Sequence, residues 1–436
     1  VLKRLDMDLI KQMQRYRQWI FLVISMDYVL AYFHKGVSAV VGPEIIKELA
    51  LLPTSLGVIS SAYFWSFAAM ALPAGMLSDT WGARKTLGVF IFLAGLGGFI
   101  FANTYNIELL AIGRLVIGFG SGALYVAAMR FVADWYKPDE MATCSGILLA
   151  AGNIGALLAT TPLVFLMGNI GWRGSFILVA VLTLLASIVS YKFVRNKPAD
   201  LEFPSPQEIM GISTVSQKVK ISLAEAVKVV LGKKKFYLLA AFTFSYYGTF
   251  MGFGSLWAGP YLQNIYHFSK ASVGNILMLF PLGMIIGCPL SGYLSDKVFK
   301  SRKQVLIYGC VLHTLSYIPF IFFTEQMTSL SLYILFFFYG LTGGAFVSCF
   351  ACAKEIYEDR FAGTANGALV IFVSLGAAFY QYVMALVINM YSMISPGVYS
   401  LAAYKSAFIV PVCGLLLGVI ALIFFKEEPS KCNQIE

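Results

Sequence analysis

The chain has 436 residues, 59% of them hydrophobic and only 12% charged, with a formal net charge of +10 and a mean hydropathy of +0.77. Soluble domains carry about 25% charged residues, so this composition excludes an ordinary water-soluble enzyme and leaves little room for any soluble domain. The positive charge does not indicate nucleic acid, because it is divided among alternate loops instead of being gathered on one face.

A helix of about 20 apolar residues spans a bilayer. Twelve such stretches are predicted, at 18–41, 54–77, 86–104, 107–131, 141–168, 172–194, 236–262, 271–295, 304–324, 329–354, 362–391 and 401–425. They are long and continuous, without the short alternating segments of an outer-membrane barrel. The expected fold class is therefore an all-α integral membrane protein of 12 transmembrane helices. The N-terminal basic set is Lys3, Arg4, Lys11, Arg15 and Arg17. Further clusters are Arg84 with Lys85, Lys192 with Arg195 and Lys197, Lys233 to Lys235, and Lys297 with Lys300, Arg302 and Lys303. All fall on one side of the predicted helices, which puts both termini in the cytoplasm. The first apolar run is too long for a leader h-region, so no cleaved leader is expected.

Helix 1 carries Asp27, His34 and Lys35 at bilayer depth, where ionisable groups need a partner or a wet cavity. Asp27 and His34 are seven residues apart and share a helix face. With Lys35, Tyr28 and Tyr32 they suggest one wall of a polar cavity. Helix 4 contributes Arg114, which either faces that cavity or forms a structural ion pair with Asp27. Helix 7 offers Phe244, Tyr246, Tyr247, Trp257 and Tyr261, interleaved with Gly248, Gly252 and Gly254, a composition that favours a bend. Helix 8 adds Asn275. Helix 9 holds His313, read as a hydrogen-bonded packing residue. Helix 11 adds Tyr380, Gln381 and Tyr382. Seven cysteines, Cys432 the last, read as free thiols, and Cys349 and Cys352 as small packing residues on an apolar helix.

Between helices 2 and 3 the chain reads Gly75-Met-Leu-Ser-Asp79-Thr-Trp-Gly82-Ala-Arg84-Lys85. Half a chain later it reads Gly292-Tyr-Leu-Ser-Asp296-Lys-Val-Phe-Lys-Ser-Arg302-Lys303. Asn153-Ile-Gly155 is likewise echoed by Ser374-Leu-Gly376, and Gly118-Phe-Gly120 by Gly340-Leu-Thr-Gly343. An internal repeat at half length predicts two pseudo-symmetric six-helix bundles. The expected division is 1–194 for the first bundle, 195–235 for a cytoplasmic linker and 236–436 for the second. Within the linker, Ile221 to Leu231 has apolar residues at helical spacing. It reads either as a short helix on the membrane surface or as plain linker with a stub of helix.

The loop motif G-x-L-x-D-x-x-G-x-R-K resembles that of the major facilitator superfamily of secondary transporters. The first copy matches in full. The second has an extra residue and lacks the Gly after Asp296. Arg114-x-x-x-Gly118-x-Gly120 on helix 4 also resembles the family. A proline-containing helix 5 signature typical of its drug exporters is absent. The resemblance implies that helices 1, 4, 7 and 10 line a central path, placing Asp27, His34, Lys35 and Arg114 there. Tyr32-Phe-His-Lys35 looks like an element of family members that carry organic anions, in which the basic residue faces the substrate. The resemblance also implies that Asp79, Arg84 and Arg130 latch the outward-open state. Asp79 is expected to meet the start of helix 11 near Ala362 and Gly363, with Gly75 allowing helices 2 and 11 to pack closely. Asp296 with Lys354 is the expected second-half counterpart.

No phosphate-binding glycine loop, ATPase module, zinc-ligand cluster or nucleophile elbow is present in the sequence. The expectation is no enzyme, no cofactor and no metal. Uphill transport would then draw on an ion gradient. The expected function is proton-coupled symport importing a small anionic or zwitterionic organic solute by alternating access. The substrate side chains would be Tyr28, Tyr32, Lys35, Arg114, Tyr246, Tyr247, Trp257, Asn275 and Gln381. Asp27 and His34 would handle the proton. Gly75, Asp79, Gly82, Arg84, Lys85, Arg130, Asp296 and Lys354 would gate. The alternatives are a proton antiporter exporting a drug-like compound or siderophore, and a transport-inactive sensor or scaffold. The expected partners are the solute, protons and lipid, without nucleic acid. The expected state is a monomer in the bacterial inner (plasma) membrane, crossing it many times.

Overall fold

The structure, a computed structural model, describes residues 7–210, 223–358, 361–395 and 397–427. Cys432, Lys3, Arg4 and the first two residues of the 221–231 segment lie outside the described residues.

Helices carry the described residues, and no strand is among them. In the first half they are α1 (Met7–Gly36), α2 (Ser38–Leu49), α3 (Pro53–Met70), α4 (Pro73–Asn103), α5 (Ile107–Gly122), α6 (Leu124–Trp135), α7 (Met141–Leu158) and α8 (Thr161–Phe193). The linker holds α9 (Pro206–Ile209) and α10 (Leu223–Leu231). The second half has α11 (Lys234–Gly252), α12 (Ala258–Tyr266), α13 (Lys270–Tyr293), α14 (Arg302–Leu315), α15 (Tyr317–Phe322), α16 (Ser329–Gly343), α17 (Ser348–Ile356), α18 (Ala362–Asn389) and α19 (Leu401–Phe424). Each of the twelve predicted apolar stretches is helical over most of its length. Among the described residues, eight helical stretches, some of them consecutive elements run together such as Ile107–Trp135, are long and apolar enough to cross a membrane, or nine if α1 and α2, bent by 49°, count as one span. Leu417, Phe424, Leu330 and Phe165 are all more than 60% exposed. So continuous an apolar exterior fits lipid.

Glycines make the sharp reversals. Within α4 the helical path breaks at Gly82, with φ 77° and ψ 169°, and within α8 at Gly171, with φ 70° and ψ 170°. A side chain disfavours that backbone. At Gly82 there is also no space for one, since a Cβ would lie 2.4 Å from the Asn196 side chain. Asn196 Oδ1 accepts from the Arg84 backbone N–H at 3.0 Å. The second glycine of the loop motif is therefore both a hinge and a seat for the start of the linker.

The sequence repeat reappears as repeated contacts. Gly155 of α7 lies against the Val29 carbonyl of α1, and Gly376 of α18 against the Phe244 carbonyl of α11. Gly118 of α5 lies against the Tyr63 carbonyl of α3, and Gly340 of α16 against the Phe280 carbonyl of α13. In all four a Cβ would come within 2.1 Å of the oxygen. Close backbone approach is what packs helices in lipid, where apolar side chains provide no drive. The linker is docked against the second half. Ala226 and Val230 of α10 are buried, Tyr357 Oη donates to the Val230 carbonyl at 2.6 Å, and Lys233 Nζ donates to the Ile356 carbonyl at 2.7 Å.

The first half is tied internally at the end where the termini lie. Arg17, on α1, donates through both terminal nitrogens to Glu140, each at 2.8 Å, and lies 4.3 Å from the Tyr136 ring centre. Burial alone would lift the Glu140 carboxyl. The hydrogen bonds from Arg17 and from the Lys137 backbone outweigh it and hold the group below its ordinary value.

Candidate functional site

A cavity of about 520 Å³ lies between the halves. Its first wall is made by α1, α2, α7 and the turn before α8, through Tyr32, Lys35, Val40, Leu149, Asn153 and Thr160. Its second wall is made by α11, α13 and the turns at 253–257 and 344–347, through Tyr247, Met251, Ser255, Phe280, Met284 and Phe346. The α11–α12 rod contains a π-helical turn, Phe253–Trp257, and this wide turn carries Gly254 and Ser255 to the cavity. The glycines near it were expected to favour a bend. The observed irregularity is this turn.

Lys35 is the only charged side chain among the lining residues. Its Nζ donates to Tyr247 Oη at 2.8 Å. It also lies 4.8 Å from the Tyr32 ring centre, 5.2 Å from that of Tyr247 and 5.8 Å from that of Phe67. Cation–π attraction of this kind is worth about 0.5–2 kcal/mol per ring. No carboxylate lies within 4.0 Å of it among the described residues. The ring cage therefore positions an ammonium with no anionic partner among the described residues.

The structure divides the polar face expected on α1. Tyr28 Oη donates to Tyr32 Oη at 3.3 Å, and both rings face α7, where a Cβ on Gly152 would lie 3.0–3.1 Å from them. Asp27 and His34 point the other way. Asp27 Oδ2 accepts from Ser190 Oγ of α8, and the His34 ring lies near Phe176 and Gly98. Both are buried, and neither lines the cavity. The proposed ion pair between Asp27 and Arg114 is not formed. Arg114 instead donates to the His34 carbonyl at 2.7 Å and to Ser38 Oγ at 3.1 Å, bridging the bend between α1 and α2, with its guanidinium 5.0 Å from the Tyr63 ring centre. A buried guanidinium bonds the backbone that the bend exposes, which outweighs a longer reach to the acid.

Other expected substrate residues are engaged elsewhere. Tyr246 Oη donates to the Thr342 carbonyl. Trp257 Nε1 donates to the Gln381 carbonyl at 3.0 Å, and Gln381 Nε2 to Ser255 Oγ at 2.9 Å. Asn275 Oδ1 accepts from Thr161 Oγ1 at 2.9 Å across the halves. His313 is buried and bonds Thr342 Oγ1 at 3.0 Å, as read from the sequence. The apolar lining, Met251, Phe280, Met284 and Phe346 above all, escaped sequence reading. These residues look like any core stripe, and only the gap beside them marks them.

The halves touch at one end and part at the other. At the end away from the termini, Lys270 Nζ pairs with Glu44 Oε1 at 2.7 Å. There Gly259 lies on the Ala39 carbonyl and Gly57 on Ala385. At the termini end Gly75, Gly146, Gly292 and Gly363 have nothing within 4 Å of where a Cβ would be. The expected close packing at Gly75 is thus absent, and among the described residues Asp79 makes no hydrogen bond to the start of α18. Asp79 pairs with Arg130 at 2.9 Å, as expected, and Arg130 also holds Asp134 at 3.0 Å. Arg84 Nε donates to the Tyr191 carbonyl at 2.7 Å. The second copy differs from expectation. Asp296 meets Arg302 at 3.5 Å, and Arg302 holds Glu355 at 2.6 Å. Lys354 points to the exterior, because the i+1 acid on α17 faces Arg302.

The sequence profile described as Major Facilitator Superfamily matches residues 24–380 and 239–435. The "Hexuronate transporter" of Bacillus subtilis (strain 168) is 24% identical over 360 residues, 80% of this chain and 82% of that protein. The "Probable sulfoacetate transporter SauU" of Cupriavidus necator is 24% identical over 430 residues, 96% of this chain and 95% of that one. The "Probable hexose phosphate transport protein" of Chlamydia pneumoniae is 24% identical over 403 residues, covering 86% of each. Among solved structures, a bacterial homolog to the human lysosomal transporter Spinster, inward-facing and unoccupied, superposes with a TM-score of 0.73 at 17% identity, over 94% of this chain and 96% of that chain. The nucleoside transporter NupG superposes with a TM-score of 0.73 at 13% identity, over 94% and 100%.

Proposed function

We infer the activity from one premise: the chain belongs to the Major Facilitator Superfamily. We propose that it is a secondary transporter for a small organic anion or zwitterion, crossing the bacterial inner membrane twelve times with both termini cytoplasmic. The observation that carries the solute's charge is Lys35, an ammonium in the cavity between the halves, held by aromatic rings and lacking an acidic partner among the described residues. Relatives named for hexuronate, sulfoacetate and hexose phosphate support an anionic solute. The parted termini end supports an inward-facing state, in which the cavity opens toward the cytoplasm.

Import is proposed to be proton-driven. Asp27 is the candidate acceptor, a buried carboxylate with Ser190 on one oxygen and no hydrogen-bond partner on the other. The test uses proteoliposomes. Lys35→Gln should lower uptake of a bound anion at least about tenfold, the loss of one charge-assisted contact, with folding intact by size-exclusion profile. Unchanged uptake would remove Lys35 from the site. Asp27→Asn should keep solute exchange and lose accumulation driven by an acid exterior. Retained accumulation would place the proton on another group.

A further inference from the structure

The cavity is chemically lopsided. Its polar end is Lys35 with the phenols of Tyr32 and Tyr247. The remainder of its second wall is mostly apolar, with Met251, Leu277, Phe280, Met284, Ile285 and Phe346, and besides Ser255 the strongest hydrogen-bonding side chain there is the weak thiol of Cys288. The other polar side chains of the lining are partly committed to protein bonds, and the Asn153 amide keeps its oxygen and one N–H for a solute. Ser255 Oγ donates to the Met251 carbonyl at 2.6 Å and accepts from Gln381. Thr160 Oγ1 donates to the Leu157 carbonyl at 2.6 Å. One amide N–H of Asn153 donates to the Leu149 carbonyl at 3.1 Å.

A polyhydroxylated acid entering here would lose water from each hydroxyl and find few partners. An unsatisfied buried hydroxyl is more costly than a hydrogen bond is favourable. A dianion would place its second charge against apolar side chains, with one ammonium to share. An acid with an apolar body meets neither difficulty. Its head reaches Lys35 and its body displaces water from the Met and Phe wall.

We infer that the solute is a monoanion with an apolar body, an aromatic or branched aliphatic carboxylate or sulfonate, held head-first on Lys35 with its body against Phe280, Met284 and Phe346. This deepens the reading that Lys35 receives the solute's anionic group and rests on it. It sets the chain apart from relatives named for sugar acids and sugar phosphates.

The test is binding to the full chain purified in detergent, read by thermal shift and checked by calorimetry. The ligands are a straight-chain carboxylate series, phenylacetate, 3-phenylpropionate, 3-phenylpropanamide, glucuronate and galactarate. Affinity should rise about fourfold per added methylene along the series, the free energy of burying one CH₂. Phenylpropionate should bind, and its neutral amide and both sugar acids should give no saturable signal. Met284→Gln should weaken the aromatic acids more than the shortest carboxylates. Saturable, Lys35-dependent binding of glucuronate or galactarate would overturn the apolar-body inference while leaving Lys35 as the anion site. So would silence of the apolar acids. Binding of the apolar acids that persists unchanged in Lys35→Gln would overturn the Lys35 reading itself.

Discussion

The two ends of the interface between the halves are built from the same residue type and are in opposite conditions. At the end away from the termini, two glycines at the seam are filled. Gly259 has the Ala39 carbonyl where its side chain would be, and Gly57 has Ala385. At the termini end Gly75, Gly146, Gly292 and Gly363 face nothing within 4 Å. A filled glycine is explained by the contact it permits. The empty pair Gly75 and Gly292 holds matching places in a motif repeated in both halves, and a transporter whose halves rock against each other would need such open small-residue positions for its second contact. The structure thus displays a closed contact at one end and open glycine positions at the other.

The most forceful way to break that comparison is to fill the closed end. Gly259→Val puts a side chain where the Ala39 carbonyl sits. Overpacking of this kind costs about 1–3 kcal/mol, which moves the balance between states by roughly 5- to 150-fold. Disulfide yield between Glu44→Cys and Lys270→Cys in a cysteine-free background should fall accordingly, with transport. Undiminished yield would show that the far end is not a moving contact.

The complementary test disturbs the open end. Asp79→Asn should leave the melting temperature within a few degrees and cut transport by about tenfold or more, because the Asp79–Arg130 pair is exposed and worth about 0–1 kcal/mol in this state. Its importance would lie in the state in which the termini end closes. Uptake near that of the parent chain would remove the latch role.

A third variant asks whether the halves move as rigid bodies. The Glu140 carboxyl is held below its ordinary value of 4.5. Its stabilisation is therefore complete above that pH and lost as pH falls through the lower folded value. Glu140→Gln should lower stability by about 1–2 kcal/mol near neutral pH and flatten the decline in melting temperature on acidification below 4.5. It should leave the Glu44–Lys270 crosslinking yield unchanged. A change in that yield would mean that the first half flexes.

The smallest effect belongs to the ion pair across the closed end. Lys270 is 58% exposed and Glu44 20%, so Lys270→Gln should shift the balance of states by no more than about fivefold. Its signature is salt. The difference between variant and parent should vanish in 1 M salt, where the screening length is about 3 Å. A difference that persists there would assign Lys270 a role beyond the pair.

Much of the fold was legible because lipid imposes long apolar helices, and those need no tertiary information to be read. The pseudo-symmetry was legible because Gly155 and Gly376, or Gly118 and Gly340, make the same backbone contact in each half. Of the cavity lining, only Lys35, Tyr32 and Tyr247 were legible in the sequence as candidates. Asp27 and His34 share a face, but Lys35 lies about 80° round from Asp27. Spacing gives that angle and not the location of the neighbours. Helix α8 covers the acid and α7 meets the tyrosines, so one apparent wall is two. The pairing of Asp296 failed for a similar reason. Lys354 and Glu355 are adjacent in sequence, and which one turns toward Arg302 depends on the roll of α17.

The π-helical turn at Phe253–Trp257 has a consequence for the length of the chain. Such a turn accommodates one residue more than a straight helix of the same span. The flanking helices keep their own faces, α11 toward α18 and α19, α12 toward α2. Deleting one residue within the turn is therefore an in-phase change. It would straighten the rod and preserve both interfaces, yet withdraw Gly254 and Ser255 from the cavity. A relative one residue shorter at this point would align without disruption on either side while carrying a differently shaped chamber, so an alignment gap here would be a record of altered selectivity.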